Sequence, residues 1–232
     1  MLKTHPEKHQ QLLRSKGVRI VPMERKHAAG AAEMHLLAFR GFFLAFLGRG
    51  FVRQFYRAAA GHKETVGFVA LDDGDNVVGA CFGLINARRF YRELLRKRWW
   101  AFALHSIWPV LRRPAIIPRL LRACKHEGYP PPFSVHPLGA LPSTAVRPGS
   151  QGMGVAIALM RAACQEFVRR GVHAVYLTTD ANSNDMVRGF YKAMGWKFIG
   201  YYTTPESRRM CWYAWLDPAC KWAPDTIPSA KE

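Results

Sequence analysis

The stretch Arg147-Pro-Gly-Ser-Gln-Gly-Met-Gly-Val-Ala-Ile-Ala-Leu159 constrains the fold of this chain more than any other. An apolar run closing in Thr144-Ala145-Val146 gives way to a glycine-rich turn, and the turn feeds a helical pattern from Val155 to Arg170. The segment reads as strand, loop and helix start, a unit of α/β architecture. Gly149, Gly152 and Gly154 let the backbone turn tightly and approach a ligand closely. The first N–H groups of the helix lack internal partners and the positive end of its dipole points the same way, so the place attracts phosphate oxygens. An ordinary glycine-bearing strand-to-helix turn accounts for the same residues, and this stretch alone does not separate the two.

The elements around it follow from periodicity. Val18-Arg-Ile-Val-Pro22 alternates like a half-buried strand, and Lys26 to Arg40 reads as a helix with Ala31, Ala32, His35, Leu36 and Phe39 at core spacing. A second helix is expected over Phe42 to Ala60, where Phe46, Leu47, Phe51, Phe55 and Tyr56 form an aromatic stripe that reads first as core packing. Val66 to Leu71 and Val77 to Ile85 flank Asp72-Asp-Gly-Asp75, a hairpin signal. His173 to Thr179, Trp196 to Thr204 and Met210 to Leu216 are further strands, with Asn182-Ser-Asn-Asp185 as the cap of a helix over Met186 to Met194.

Two segments give this order a meaning. Gln151-Gly-Met-Gly154-Val-Ala156 fits the pattern Gln/Arg-x-x-Gly-x-Gly/Ala, and Asn184-Asp-Met-Val-Arg-Gly-Phe-Tyr191-Lys-Ala-Met-Gly195-Trp196 supplies an Asn, a helix with Tyr, and Gly-aromatic at its end. Together, in this order and spacing, they resemble the GCN5-related N-acetyltransferases. The resemblance is firm over residues 140 to 202. It implies an α/β fold with a mixed, mostly antiparallel, splayed sheet flanked by helices, and acetyl-CoA as acyl donor. It assigns the pyrophosphate to the backbone of Gln151, Gly152, Met153, Gly154, Val155 and Ala156, and pantetheine to the strand end Thr144, Ala145 and Val146. The N–H of Val146 or a neighbour then polarises the thioester carbonyl, and Asn184 reaches the cofactor from the far side, with helix capping as its other role. Tyr191 is the expected general acid, since a phenol of ordinary pKa near ~10 stays protonated at neutral pH and can donate to a departing thiolate. No base is assigned: the strand before the loop holds no Asp or Glu, and His136 and Asp180 each serve equally well in a turn.

The resemblance also implies direct transfer to a primary amine, with an amino sugar on a phosphate-bearing or lipid-linked carrier as the expected acceptor. A protein N-terminus, a lysine and a polyamine are the other classes. Residues around Arg40 to Arg49, with Phe42 and Phe43 as walls, are expected to help form the acceptor site. The rival reading is a non-catalytic module that holds CoA structurally, or not at all, and docks on a membrane or nucleic acid.

The 232 residues suit one domain over 1–232, with a loose N-terminal arm over about 1–16 and a helical insertion over about 86–132. A hydrophobic share of 49% and a charged share of 22% exclude global disorder, whereas the net charge of +18 points to anionic partners. Much of that charge lies in the insertion: Arg88, Arg89, Arg92, Arg96, Lys97, Arg98, Arg112, Arg113, Arg119, Arg122 and Lys125, interleaved with Trp99, Trp100, Phe102 and Trp108. Two or three short helices are expected there, broken by Pro109, Pro114 and Pro118. Three roles stand open: a lid whose arginines snorkel, a membrane-surface element, and a nucleic-acid grip without a recognised motif. Cys81, Cys124, Cys164, Cys211 and Cys220 lack zinc spacing and read as reduced thiols, so no metal is expected. The polar N-terminus and the absence of a long apolar run give a cytoplasmic expectation, with peripheral contact at the inner membrane face as an extension.

Overall fold

The computed structural model describes Gln11 and residues 13–39, 43–112, 131–132 and 135–218. Among these, seven strands form one sheet: β1 (Arg19–Pro22), β2 (Thr65–Leu71), β3 (Val77–Leu84), β4 (Leu138–Val146), β5 (Ala174–Asp180), β6 (Lys197–Thr203) and β7 (Arg209–Leu216). Their order is β1-β2-β3-β4-β5-β7-β6, and every neighbouring pair is antiparallel except β4 with β5. The expected α/β sheet is thus present, mixed and mostly antiparallel, with helices on both faces.

On one face lie α1 (Ala28–Ala38), a short helical turn over Phe43–Phe46, α2 (Gly48–Ala59) and α3 (Ala87–Arg112). Helix α1 buries Ala28, Ala31, Ala32 and His35, one stripe at helical spacing. Glu24 and His27 cap each other just before it. The helix expected over Phe42 to Ala60 is divided, with Leu47 between its two parts, and α2 buries Phe51, Val52, Phe55, Tyr56 and Ala59. Most of the aromatic stripe is therefore core. Arg40, Gly41 and Phe42 lie outside the described residues.

Helix α3 corrects the expectation of several short helices. Asn86 Oδ1 accepts the N–H of Arg89 at 2.9 Å and starts a helix that runs unbroken for 26 residues, through Pro109. The proline falls in the last described turn and removes one backbone hydrogen bond there, while upstream Phe90, Ala101 and Phe102 are buried and hold the helix against α2. Pro114 and Pro118, with residues 113–130, lie outside the described residues.

The other face carries α4 (Val155–Arg169) and α5 (Asp185–Ala193). Of the expected N-terminal arm, residues 1–10 and 12 lie outside the described ones, but Leu13 is buried in the core beneath α4 and its carbonyl accepts the N–H of Val18 at 2.9 Å. The end of that arm is seated by apolar burial. The β2–β3 hairpin forms where expected, its turn fixed by Asp72 Oδ1, which accepts the N–H groups of Gly74 at 3.0 Å and Asn76 at 2.8 Å.

Candidate active site

The site begins with an irregularity in β4. Phe82 pairs with Ser143 and Leu84 with Ala140, so two residues, Leu141 and Pro142, stand opposite the single Gly83. Such a bulge bends its strand and sharpens its twist. On its other side β4 pairs with β5 only from Leu138–Ala174 to Ala140–Tyr176, while β5 stays paired with β7 all the way to Asp180. From the bulge onward β4 and β5 diverge, and the sheet opens into a cleft.

The hydrogen-bond alternation of β4 decides what lines this cleft. The N–H of Arg147 donates to Val78 O at 2.8 Å, and Gly79 pairs with Val146 and Ala80 with Ala145. Because inward and outward pairs alternate along an antiparallel ladder, Ala145 and Ser143 turn their backbone groups to β3, and Thr144 and Val146 turn theirs into the cleft. At its mouth the chain turns through Pro148–Ser150 into α4. Gly154, at φ 86°, is the N-cap of α4, a left-handed conformation that costs an L side chain about 1–2 kcal/mol. Gln151 Nε2 donates to Val146 O at 3.4 Å, tying the turn to the strand end, and Arg147 donates to Val77 O at 3.0 Å. The strand end Thr144–Val146 and the turn Gln151–Ala156 are thus contiguous, with the N-terminus of α4 at one end of the cleft.

Tyr191 stands on the same face. Helix α5 closes with Gly195 at φ 83°, the N–H of Trp196 donating to Tyr191 O at 3.0 Å and that of Gly195 to Lys192 O at 2.9 Å. This is a Schellman ending, which brings the residue after the glycine back over the last turn. Trp196, 3% exposed, packs with its ring 6.3 Å from that of Tyr191, and Tyr213 lies 5.5 Å away on β7. The Tyr-x-x-x-Gly-Trp spacing is therefore a device for fixing Tyr191. Burial pushes its phenol above the ordinary range, with Cys81 and Cys211 as nearby contributors, so it is protonated at neutral pH.

The remaining expected residues divide. Asn184 occupies the N-cap position of α5 but makes no capping bond; its Nδ2 donates to Thr179 Oγ1 at 2.8 Å and Asp180 O at 3.1 Å. The capping role is corrected: the amide ties α5 to the end of β5. Asp180 accepts from two of the three guanidinium nitrogens of Arg208, the second at 2.5 Å, so both its oxygens are committed to an ion pair. His136 precedes the far end of β4, separated from Val146 by roughly 26 Å of strand. Cys81 Sγ lies 3.3 Å from Thr144 Oγ1, and burial pushes its thiol up to about 12, leaving it inert as a nucleophile.

The opposite face of the bulge opens a cavity of about 170 Å³ whose lining includes Phe39, Leu44, Phe55, Phe82, Tyr91 and Pro142. Its polar element is a chain that joins three elements: His35 Nδ1 to Tyr56 Oη at 3.1 Å, and Tyr56 Oη to Ser143 Oγ at 3.1 Å. Burial lowers the His35 pKa to about 4, so the ring is neutral at pH 7, and its Nε2 is buried without a hydrogen-bond partner among the described residues. Pro142 and Ser143, which line the cavity, follow closely on Ala140, the last residue of β4 paired with β5, and this sets the cavity beside the point where the two strands part. Sequence spacing placed His35 and Tyr56 in the core and missed the hydrogen-bonded chain they form with Ser143; the one available signal was a histidine on an otherwise apolar helix face.

The sheet is thus parted at a bulge, with a glycine turn and a helix N-terminus at the cleft. Residues 34–196 match the model of the acetyltransferase (GNAT) family, and the chain belongs to that family, whose members are N-acetyltransferases. The ribosomal-protein-S18-alanine N-acetyltransferase of Escherichia coli superposes with a TM-score of 0.51 at 15% identity, over 88% of this chain and 97% of that one. Ard1 from Thermoplasma volcanium gives 0.54 at 13% identity over 87% and 98%. The SpeG spermidine N-acetyltransferase of Vibrio cholerae gives 0.53 at 14% identity over 87% and 94%. At these identities the likeness is one of fold. No curated protein sequence matches the chain.

Proposed function

We propose that the chain, as one catalytic domain over 1–232, transfers an acetyl group from acetyl-CoA directly to a primary amine, with the donor in the β4–β5 cleft and the acceptor in the cavity across the bulge. The observation that carries this reading is the parting of β4 from β5, which aims the backbone of Thr144 and Val146 into a cleft that ends at the N-terminus of α4. An extended pantetheine arm carries amides able to complete that half-ladder, and the turn from Gln151 to Ala156 suits a pyrophosphate. Asn184 borders the same cleft through the end of β5.

The chemistry follows from the groups in place. The amine nitrogen forms the new C–N bond as the C–S bond breaks; the N–H of Val146 stabilises charge on the carbonyl oxygen, and Tyr191 gives its proton to the thiolate. The amine's proton leaves to water, which restores the phenol. His35, neutral down to about pH 4, is too weak a base to take that proton and instead hydrogen-bonds the acceptor. A bound group that satisfies its buried Nε2 relieves a cost of about 1–3 kcal/mol.

For the acceptor, the basic surface supports an amino sugar on a phosphate-bearing carrier. The lining of the cavity favours a second reading, an amine on one apolar ring or short alkyl body: cavities of about 150 Å³ hold a single ring, and Phe39, Leu44, Phe55, Phe82 and Pro142 give the cavity mostly apolar walls, with polar groups confined to His35, Tyr56, Tyr91 and Ser143.

Calorimetry with acetyl-CoA on the wild type and Gly154→Asp tests the donor site. The variant loses at least about tenfold in affinity, because a side chain at φ 86° is strained and a carboxylate there opposes the pyrophosphate. A wild type that folds but does not bind acetyl-CoA refutes the assignment. Thiol release with amino sugars against single-ring arylalkyl amines then separates the two acceptors.

A further inference from the structure

Helix α3 presents Tyr91 to the cavity from its inner side and turns a differently built face outward. Inward, Phe90, Ala101, Phe102 and Ser106 are buried, with the Phe102 ring 4.8 Å from Phe51 of α2. Outward, the helix changes character along its length. Its first half carries the exposed Arg88, Arg89, Arg92, Arg96 and Lys97; from Trp99 on it carries Trp99, Trp100, Leu104, Ile107 and Leu111, with Arg112 at its end, whose long side chain can reach back to lipid headgroups. These five apolar residues are between 53% and 69% exposed. Trp100, Leu104, Ile107 and Leu111 recur at helical spacing and form one stripe, and the apolar half runs for about 18 Å. Glu93, the one acidic residue of α3, is engaged with His62, Lys63 and Lys97 and leaves the face basic.

A face of this kind requires a cover, and its charge distribution selects among three. A second copy in parallel alignment sets the two basic halves against each other, and in antiparallel alignment sets Arg92 and Arg96 against Ile107 and Leu111, on chains of net charge +18 each. A nucleic acid satisfies the basic half but leaves Leu104, Ile107 and Leu111 without a partner, since bases stack on aromatic and not on aliphatic side chains. A bilayer with anionic headgroups matches both halves at once: phosphates meet the arginines, the acyl boundary takes Leu104, Ile107 and Leu111, and the tryptophans suit the interface between. We infer that α3 is a membrane-docking element which lies obliquely on an anionic bilayer, its C-terminal half the deeper. It docks and does not span, because no helix among the described residues is long and apolar enough to cross a membrane. The inference is independent of the acceptor's identity.

The test is flotation of the full chain with vesicles of phosphatidylcholine alone and with added phosphatidylglycerol, in low and raised salt, with tryptophan quenching by brominated lipid as a readout that needs no variant. The wild type floats with the anionic vesicles in low salt, is released as salt rises, and its emission is quenched. Trp100→Ser/Leu104→Ser/Ile107→Ser and Arg92→Glu/Arg96→Glu each weaken flotation at least about tenfold while acetyl-CoA calorimetry and circular dichroism stay those of the wild type. Absence of flotation and quenching in the wild type, or flotation undiminished in both variants, overturns the inference. So does a wild-type dimer that the serine variant dissolves, or nucleic-acid binding tighter than vesicle binding and lost in the Arg92→Glu/Arg96→Glu variant.

Discussion

His35 and Tyr191 show how burial sets the chemistry of single residues here. The folded protein holds the His35 imidazole neutral down to about pH 4, whereas an unfolded chain protonates it near 6.5. The stability this provides is complete above pH 6.5 and is lost as the pH falls through that window towards 4. Urea titrations of wild type and His35→Phe check it: the variant loses less stability between pH 7 and pH 4.5, by about 2–3 kcal/mol. At Tyr191 the same desolvation raises the phenol, which would make a poorer acid in water. In the proposed reaction a thiolate released into the same buried space would be raised along with it, which would keep the proton transfer matched. Tyr191→Phe keeps the packing against Trp196 and Tyr213, lowers kcat by about 10²–10³-fold and leaves acetyl-CoA affinity near that of the wild type; steady-state kinetics beside calorimetry separates the two effects.

Among the elements, α4 carries the cleft at one end and an ionic clamp at the other. Glu166 accepts from Arg169 and Arg170, which hold its carboxyl down to about 2, and Arg170 also donates to the carbonyls of Lys63 and Thr65 at the start of β2. Since Glu166 is depressed in the folded state, its contribution is present above pH ~4.3 and is lost as the pH falls towards 2. Glu166→Gln lowers stability at pH 7 by about 1–2 kcal/mol, discounted because Arg169 is largely exposed, and thermal melts at pH 7 and pH 3 show the difference reduced to roughly half at the lower pH. The glycine turn, the Tyr191 helix and most strand positions were legible in the sequence because each rests on local pattern: apolar periodicity, glycine at a forced turn, an aspartate in a hairpin. The bulge at Leu141-Pro142 was not, since it exists only relative to Gly83 across the sheet, nor was the placing of β7 between β5 and β6. Pro109 misled because its local cost is outweighed by packing on α2 that no window of sequence contains. His35 reads as core on its own helix, and becomes a polar feature only when Tyr56 and Ser143 arrive from two other elements.

At the scale of the whole molecule, the sheet is two halves, β1 to β4 and β5 to β7, joined by three parallel pairings from Leu138–Ala174 to Ala140–Tyr176. A ligand in the cleft bridges the halves and stabilises the fold by mass action. Acetyl-CoA at about a hundred times its Kd therefore adds about 2.7 kcal/mol and raises Tm by roughly 5–10 °C, with amide exchange slowed in β4 and β5 on both sides of the cleft. Differential scanning fluorimetry with hydrogen exchange checks both. The divergence of these strands has one more consequence. Past Ala140, β4 is an edge strand set inside a sheet, and edges are where proteins recruit the strands of other molecules. A ligand held in the cleft, as proposed, would guard it, so that heat-induced aggregation of this protein would fall as occupancy rises.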